Sequence, residues 1–309
     1  QQIKKIMMSK LSLEKKEIKR WWDFKRQLRW KDIYKKKDYS SLALNNRKDL
    51  ILKYFNTLNL KNIKVLEIGF GGGQLAYEII KKNNSYFGID ISKKLSKVAQ
   101  KRCAHLSSKR YSFKVATIEK PLNFKKSYFD LVVVAGVLQY SLKPRKVFNE
   151  IHKVLKKDSF FICAQTNLYK LNYFLNMRSL LVRIFYMISN ENLAISDSYR
   201  SLLLETKLKK YFSNRQKKKI IESKFFNKNF VSVNFKFKKR VMHRKKIVNL
   251  AKKTGFKIVD KNACGPYLKI GFKRNIYWYI NLVIELLANV RVLSFLKNFG
   301  ESQVIVLKK

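Results

Sequence analysis

The segment Val65-Leu66-Glu67-Ile68-Gly69-Phe70-Gly71-Gly72-Gly73 constrains the fold more than any other in this chain. A short apolar run, Ile63–Ile68, ends at closely spaced glycines and passes into Gln74–Lys82, which reads as a helix. Such a strand–loop–helix unit builds a ligand site. Glycines permit the tight turn and let backbone N–H groups approach a bound molecule. The dinucleotide pattern Gly-x-Gly-x-x-Gly, counted from Gly69, wants a third glycine at position 74, which is Gln74. The loop therefore fits a dinucleotide poorly.

Two acids sharpen the reading. Glu67 ends the first strand, where an anion suits a ligand with a cationic amino-acid end. Asp90 ends a second strand, Tyr86–Ile89, at the place where a carboxylate accepts hydrogen bonds from ribose hydroxyls. Ser92 is a suitable N-cap for a helix over Lys93–Leu106. Further strands are expected at Tyr111–Val115, Leu131–Ala135 and Phe160–Ala164, with a helix at Lys143–Leu155 between the last two. The wholly apolar Leu131–Ala135 suits a strand buried on both faces. After an interruption, the rhythm returns with a helix at Ile247–Lys253 closed by Gly255, a strand at Phe256–Asp260, a long apolar helix at Ile276–Leu296 and a terminal strand at Gln303–Leu307. The expected fold is α/β: a doubly wound, mostly parallel, seven-stranded, Rossmann-like sheet. N-terminal basic helices occupy 1–60, the ligand-binding domain 61–166 and 246–309, and a helical, basic lid or recognition insert 167–245.

Charge is the other unusual property. Sixty-nine Lys and Arg face 20 Asp and Glu, a formal charge of +49. Residues 207–246 hold 16 Lys or Arg against one acid, Glu222, with Val231, Val233, Phe235 and Phe237 alternating as in a half-buried strand. A field of this sign draws RNA or an anionic membrane surface. An AT-rich codon bias also inflates lysine, but does not explain the shortage of acids. Cys103, Cys163 and Cys264 have no metal-like spacing, so no metal is expected, and they point to a reduced compartment, the cytoplasm or an organellar matrix. No secretory h-region is visible in residues 1–30.

The ordered motifs resemble those of the class I S-adenosylmethionine-dependent methyltransferases, in the style of the type 11 group that includes methylases of quinone biosynthesis. Val65–Gly73 resembles the first motif and Gly88-Ile89-Asp90-Ile91-Ser92 the second. Phe129–Val134 resembles the fourth strand, Gly136–Tyr140 the loop after it, Glu150–Lys156 the helix leading to the fifth strand, and Thr254–Val259 the run into the sixth. The resemblance implies S-adenosyl-L-methionine as cofactor and methyl transfer as activity. By the same resemblance, Gly69, Phe70, Gly71 and Gly73 pass under the methionine part, Glu67 meets its amino group, and Asp90 holds the ribose. Ile91, Thr117, Ile118 and Ala135 line the remaining cofactor site. The acid that relatives carry after the third strand is absent or displaced to Glu119, and Gln139-Tyr140 stand where many relatives have a histidine.

No general base emerges. His105, His152 and His243 all read as structural or solvated positions, whereas Gln139 and Tyr140 are placed to line a substrate pocket. Three substrate readings follow. The first is a small or lipophilic acceptor, reached at a membrane surface by peripheral contact. There Leu168–Ile188 and Ile276–Leu296 supply apolar length, and Asn281, Glu285 and Asn289 mark a polar face. The second is RNA, with a methyltransferase or ribosome-associated role. The third is a methyltransferase-like subunit without catalysis. Oligomeric state is not legible.

Overall fold

The computed structural model describes residues 13–23, 33–35, 39–168, 193–204, 230–266, 274–290, 295–296 and 298–309. Its centre is a seven-stranded sheet. In chain order its strands are β1 (Lys64–Ile68), β2 (Ser85–Asp90), β3 (Tyr111–Val115), β4 (Phe129–Ala135), β5 (Leu155–Thr166), β8 (Lys257–Cys264) and β9 (Ser302–Lys308). They lie in the order β3-β2-β1-β4-β5-β9-β8. All are parallel except β9, which runs antiparallel to both neighbours. The order reverses between β1 and β4. That switch point opens a crevice outside the carboxyl ends of the strands, where ligands bind in folds of this kind.

Side-chain alternation divides the core into two layers. Leu66, Ile68, Val132 and Val134 point to one face, where α5 (Pro144–Val154) and α6 (Arg244–Lys253) pack through Phe148, Ile151, Ile247 and Ala251. Val65, Leu131 and Val133 point to the other face. There α2 (Tyr39–Thr57), α3 (Gln74–Lys81) and α4 (Lys93–Cys103) pack through Ile51, Phe55, Ile79 and Ala99. Leu131 to Val134 are all fully buried, which accounts for the unbroken apolar run in the sequence. A further helix, α1, covers residues 13–23.

Most expected elements recur within a few residues. Ser92 caps α4, its Oγ accepting from the Leu95 N–H at 3.1 Å. Gly255 follows α6 with φ of 87°, a left-handed backbone that glycine adopts without cost. Three differences stand out. β5 starts at Leu155, directly after α5, because its first residues pair with Phe129 before the register shifts. The basic insert contains a two-stranded antiparallel ribbon, β6 (Leu193–Leu204) with β7 (Phe230–Val241). β7 includes the strand expected near Val231–Phe237, but its partner β6 carries no clean period-two signal. The long helix, α7 (Arg274–Asn289), is shorter than Ile276–Leu296. Leu168 is buried at the end of the described β5 segment, and the rest of Leu168–Ile188 lies outside the described residues. Among the described residues no helix is long and apolar enough to cross a membrane.

Phe148 stands fully buried between β5 and the strand-leading Phe256, with ring centroids 5.2 Å from Phe161 and 6.2 Å from Phe256. Phe148→Ala is expected to lower the unfolding free energy by about 3–5 kcal/mol. Urea unfolding would check it, as a lower midpoint at unchanged slope.

Candidate functional site

The glycine loop is held from three sides. Gly69 donates its N–H to the Ile89 carbonyl at 2.7 Å, locking the loop to the end of β2. Gly71 donates to Asp90 Oδ2 at 2.9 Å, and Ser92 donates to Asp90 Oδ1 at 2.8 Å, so one carboxylate braces the loops after β1 and β2 together. Arg102 of α4 donates to the Gly72 carbonyl at 2.7 Å. Gly69 has φ of 85°, and a Cβ there would lie 1.9 Å from Val137 Cγ2. No other residue fits that position.

Burial pushes the Asp90 carboxyl up to about 6, against the lowering effect of the Ser92 and Gly71 N–H groups. Glu67, 3% exposed, accepts a hydrogen bond from Tyr86 Oη at 2.6 Å, and burial pushes it up to about 7. Two buried acids, in a chain with so few, need a compensating partner. Each carboxylate oxygen keeps a second lone pair for a ligand hydroxyl or ammonium group.

Gly69, Gly71 and Asp90 border a cavity of 280 Å³ at the switch point. Its floor includes Gly69, Gly71, Asp90, Ile91 and Ala135, with Thr117 and Ile118 from the segment after β3. Gln139 and Tyr140 stand in the 3-10 turn Leu138–Tyr140 after β4 and line the same space. Glu67 and Phe70 border a smaller adjoining cavity that shares Gly69, Gly71 and Ala135 with the large one. Gly73 belongs to neither wall. With φ of 74° it caps α3, and a Cβ there would lie 2.8 Å from the Cβ of Ala99, so it sets the close approach of α3 and α4 instead.

Several wall residues carry no motif. Lys15, Ile18 and Trp22 come from α1, and Ser40, Leu44 and Arg47 from α2. The Trp22 ring meets Tyr140 edge-on, with centroids 5.9 Å apart. Asp23 accepts from Ser92 Oγ at 2.7 Å, tying the end of α1 to the start of α4. At its other end Glu14 takes both guanidinium nitrogens of Arg240 at 2.9 Å, which ties α1 to β7. Glu119, the displaced acid, lines the cavity and accepts from Ser141 Oγ and the Leu142 N–H, both at 2.8 Å, fastening the segment after β3 to the one after β4. Glu301 and Ser302 arrive from the start of β9, beside Thr166 at the end of β5. None of the three histidines lines the cavity. His243 caps α6 and accepts from the Lys245 N–H, His105 meets Tyr77, and His152 meets Phe256. Among the described residues no group of acids, histidines and cysteines could hold a metal ion.

A family model described as a methyltransferase domain matches residues 59–224. The chain belongs to the class I S-adenosylmethionine-dependent methyltransferases. The methyltransferase is similar to a ubiquinone biosynthesis O-methyltransferase of Pelagibacter ubique, 30% identical over 50% of this chain and 66% of that protein. It is also similar to the mitochondrial ubiquinone biosynthesis O-methyltransferase of Rattus norvegicus, 26% identical over 56% of this chain and 53% of the relative. The methyltransferase thus spans two thirds or less of the curated relatives it matches. A solved S-adenosylmethionine-dependent methyltransferase from Methanosarcina mazei shares the fold, with 17% identity, a TM-score of 0.50, and coverage of 83% of this chain and 96% of that one.

S-adenosylmethionine, the cofactor of this family, suits the donor set. Asp90 offers acceptors for vicinal hydroxyls, Glu67 an anion for the cationic end, and Ile91 and Ile118 apolar cover for a base. The raised Glu67 value has a consequence for stability. Between about 4.5 and about 7 the folded methyltransferase keeps a proton that the unfolded chain has released, so stability falls as pH rises through that window. Glu67→Gln keeps an acceptor for Tyr86 and removes this loss. At pH 8 the ligand-free variant is expected to be more stable by about 1–3 kcal/mol. By calorimetry it should bind S-adenosylmethionine at least about tenfold more weakly. Asp90→Ala should weaken the same binding, and unchanged affinity would remove the ribose role.

Proposed function

We propose that this methyltransferase moves the methyl group of S-adenosylmethionine to a hydroxyl of a small, lipophilic acceptor. The observation that carries this reading is the makeup of the half of the cavity that the cofactor-side acids leave over. There Gln139, 6% exposed, donates Nε2 to the Gly136 carbonyl at 3.3 Å, while its Oε1 has no hydrogen-bond partner among the described residues. A buried acceptor of this kind costs stability unless a ligand O–H or N–H meets it. Trp22, Tyr140 and Val137 give the same region apolar walls. A cavity of this size under α1 and α2 suits a small molecule better than a polynucleotide. The two ubiquinone-biosynthesis relatives are named as O-methyltransferases, which supports oxygen as the accepting atom.

When bound, the cofactor supplies a methyl group on a sulfonium, whose departure as a neutral thioether asks for no proton. The chain's own work is alignment, exclusion of water and removal of the acceptor's proton. Glu301 suits the last task. Burial pushes its carboxyl up to about 8, a range in which a carboxylate is a useful base for an acidic hydroxyl. Gln139 Oε1 orients the acceptor, and the Trp22–Tyr140 pair closes over it.

Because the basic form of Glu301 grows as pH rises through about 8, methyl transfer to a hydroxyl acceptor should rise over the same range. Glu301→Gln should flatten that rise and lower kcat by about 10²–10⁴ while leaving S-adenosylmethionine affinity unchanged. A pH–rate profile with labelled cofactor and catechol-type acceptors measures both. If the folded protein fails to bind S-adenosylmethionine, methyl transfer itself is wrong. If it binds but Glu301→Gln keeps the wild-type profile, only the role of Glu301 falls.

A further inference from the structure

Helix α7 is inside out. Taking about 100° per residue, Tyr279, Val283, Leu286 and Leu287, with Val290 directly after the helix, fall within an arc of about 100° on one face. All five are exposed, from 44% to 61%. The opposite face carries the polar residues and points inward. Asn281 is fully buried, and Glu285 accepts a hydrogen bond from Asn46 of α2. Ala288 is buried beside them. In a water-facing helix the arrangement is reversed, because apolar groups gain by leaving water. Phe295, 52% exposed, continues the apolar character beyond the helix. A contiguous stripe of this kind marks a surface meant to be covered.

We infer that this stripe docks the methyltransferase on an anionic lipid bilayer, with α7 lying in the interfacial plane. The charge decides the occupant. A second copy would bring another +49 against the first, and like charge opposes that pairing. An anionic surface is attracted instead. The sequence sets Lys273 and Arg274 before the stripe and Arg291 and Lys297 after it, and its one acid, Glu285, is turned to α2. Apolar residues between basic ones on an amphipathic helix are the composition of an interfacial anchor. The described part of the helix is not long and apolar enough to span a bilayer, which suits a helix lying on the surface. This docking does not depend on the acceptor or on catalysis.

The test holds charge fixed. The full chain and a triple variant, Val283→Ser, Leu286→Ser and Leu287→Ser, are titrated with vesicles of phosphatidylcholine containing phosphatidylglycerol, at physiological salt. The variant should bind at least about tenfold more weakly, because it loses apolar burial and no charge. Its S-adenosylmethionine affinity should stay at the wild-type value, since the three side chains are exposed. Equal vesicle binding by both proteins overturns the inference, as binding would then be by charge elsewhere. So does a salt-resistant dimer, or RNA binding, that the variant alone loses while vesicle binding is unchanged. Should the variant fail to fold, hydroxyl-radical footprinting of the unaltered protein decides. Tyr279, Leu286 and Phe295 should become protected on vesicles, and continued oxidation there overturns the inference.

Discussion

One carboxylate holds the crevice together. Asp90 accepts from Gly71 on one side and from Ser92 on the other, and so fixes the loop after β1 relative to the start of α4. Ser92 in turn caps α4 through Leu95 and meets Asp23 from α1. The same few atoms therefore set the glycine loop, a helix start and the end of the covering helix. Burying this charge is unfavourable, as the upward shift of its carboxyl shows. Two charge-assisted backbone bonds offset part of that cost. Glu67 sits in a similar position with one bond from Tyr86, so a cationic ligand has more to add there.

The cover over the crevice is fastened by long-range contacts. Glu14 and Arg240 make a two-bond ion pair between α1 and β7, both side chains less than one-quarter exposed. Partial burial and fork geometry make such a pair worth more than an exposed one. Trp22 on the same helix meets Tyr140 from the turn after β4. The two sides of the cavity mouth are thus joined through aromatic contact, while Arg47 of α2 stands against Gly136, where an added Cβ would lie 2.9 Å from its Nη1. Gly136, with φ of 75°, gives that guanidinium its room.

The sheet was legible because period-two burial writes directly into the residues. Leu131 to Val134 read as a two-sided strand and are one, and the glycine loop with Asp90 read as a ligand site by local spacing, its cofactor coming from the family resemblance. Residues that reach the cavity from afar left no such mark. Lys15, Trp22, Arg47 and Glu301 are ordinary in their own neighbourhoods and acquire meaning only when α1, α2 and β9 converge. Gly73 adds a second role that its motif position does not announce: the space its missing Cβ leaves is filled by Ala99, which lets α3 and α4 approach. The polar repeat Asn281, Glu285 and Asn289 was visible as a face, but periodicity does not say which face turns inward. In α7 that was decided by Asn46 and the packing of Asn281, not by hydropathy.

Strand direction explains where the candidate base comes from. β9 enters the sheet antiparallel between β5 and β8, pairing Ser302 with Thr166 and Lys308 with Phe160. Its beginning, not its end, therefore lies at the edge where the parallel strands deliver their carboxyl ends. A parallel β9 would have brought Lys308 and Lys309 to that edge, two cations beside a site that receives a cationic cofactor. The antiparallel insertion brings Glu301 instead, whose carboxyl burial pushes up. A histidine at that depth would have had its protonation lowered by the same burial, but all three histidines are occupied elsewhere with capping and ring contacts. The sheet thus divides the work by position. β1 and β2 end in the two buried acids Glu67 and Asp90, and the β4–β5–β9 side brings Gln139, Tyr140 and Glu301 to the opposite wall of the crevice.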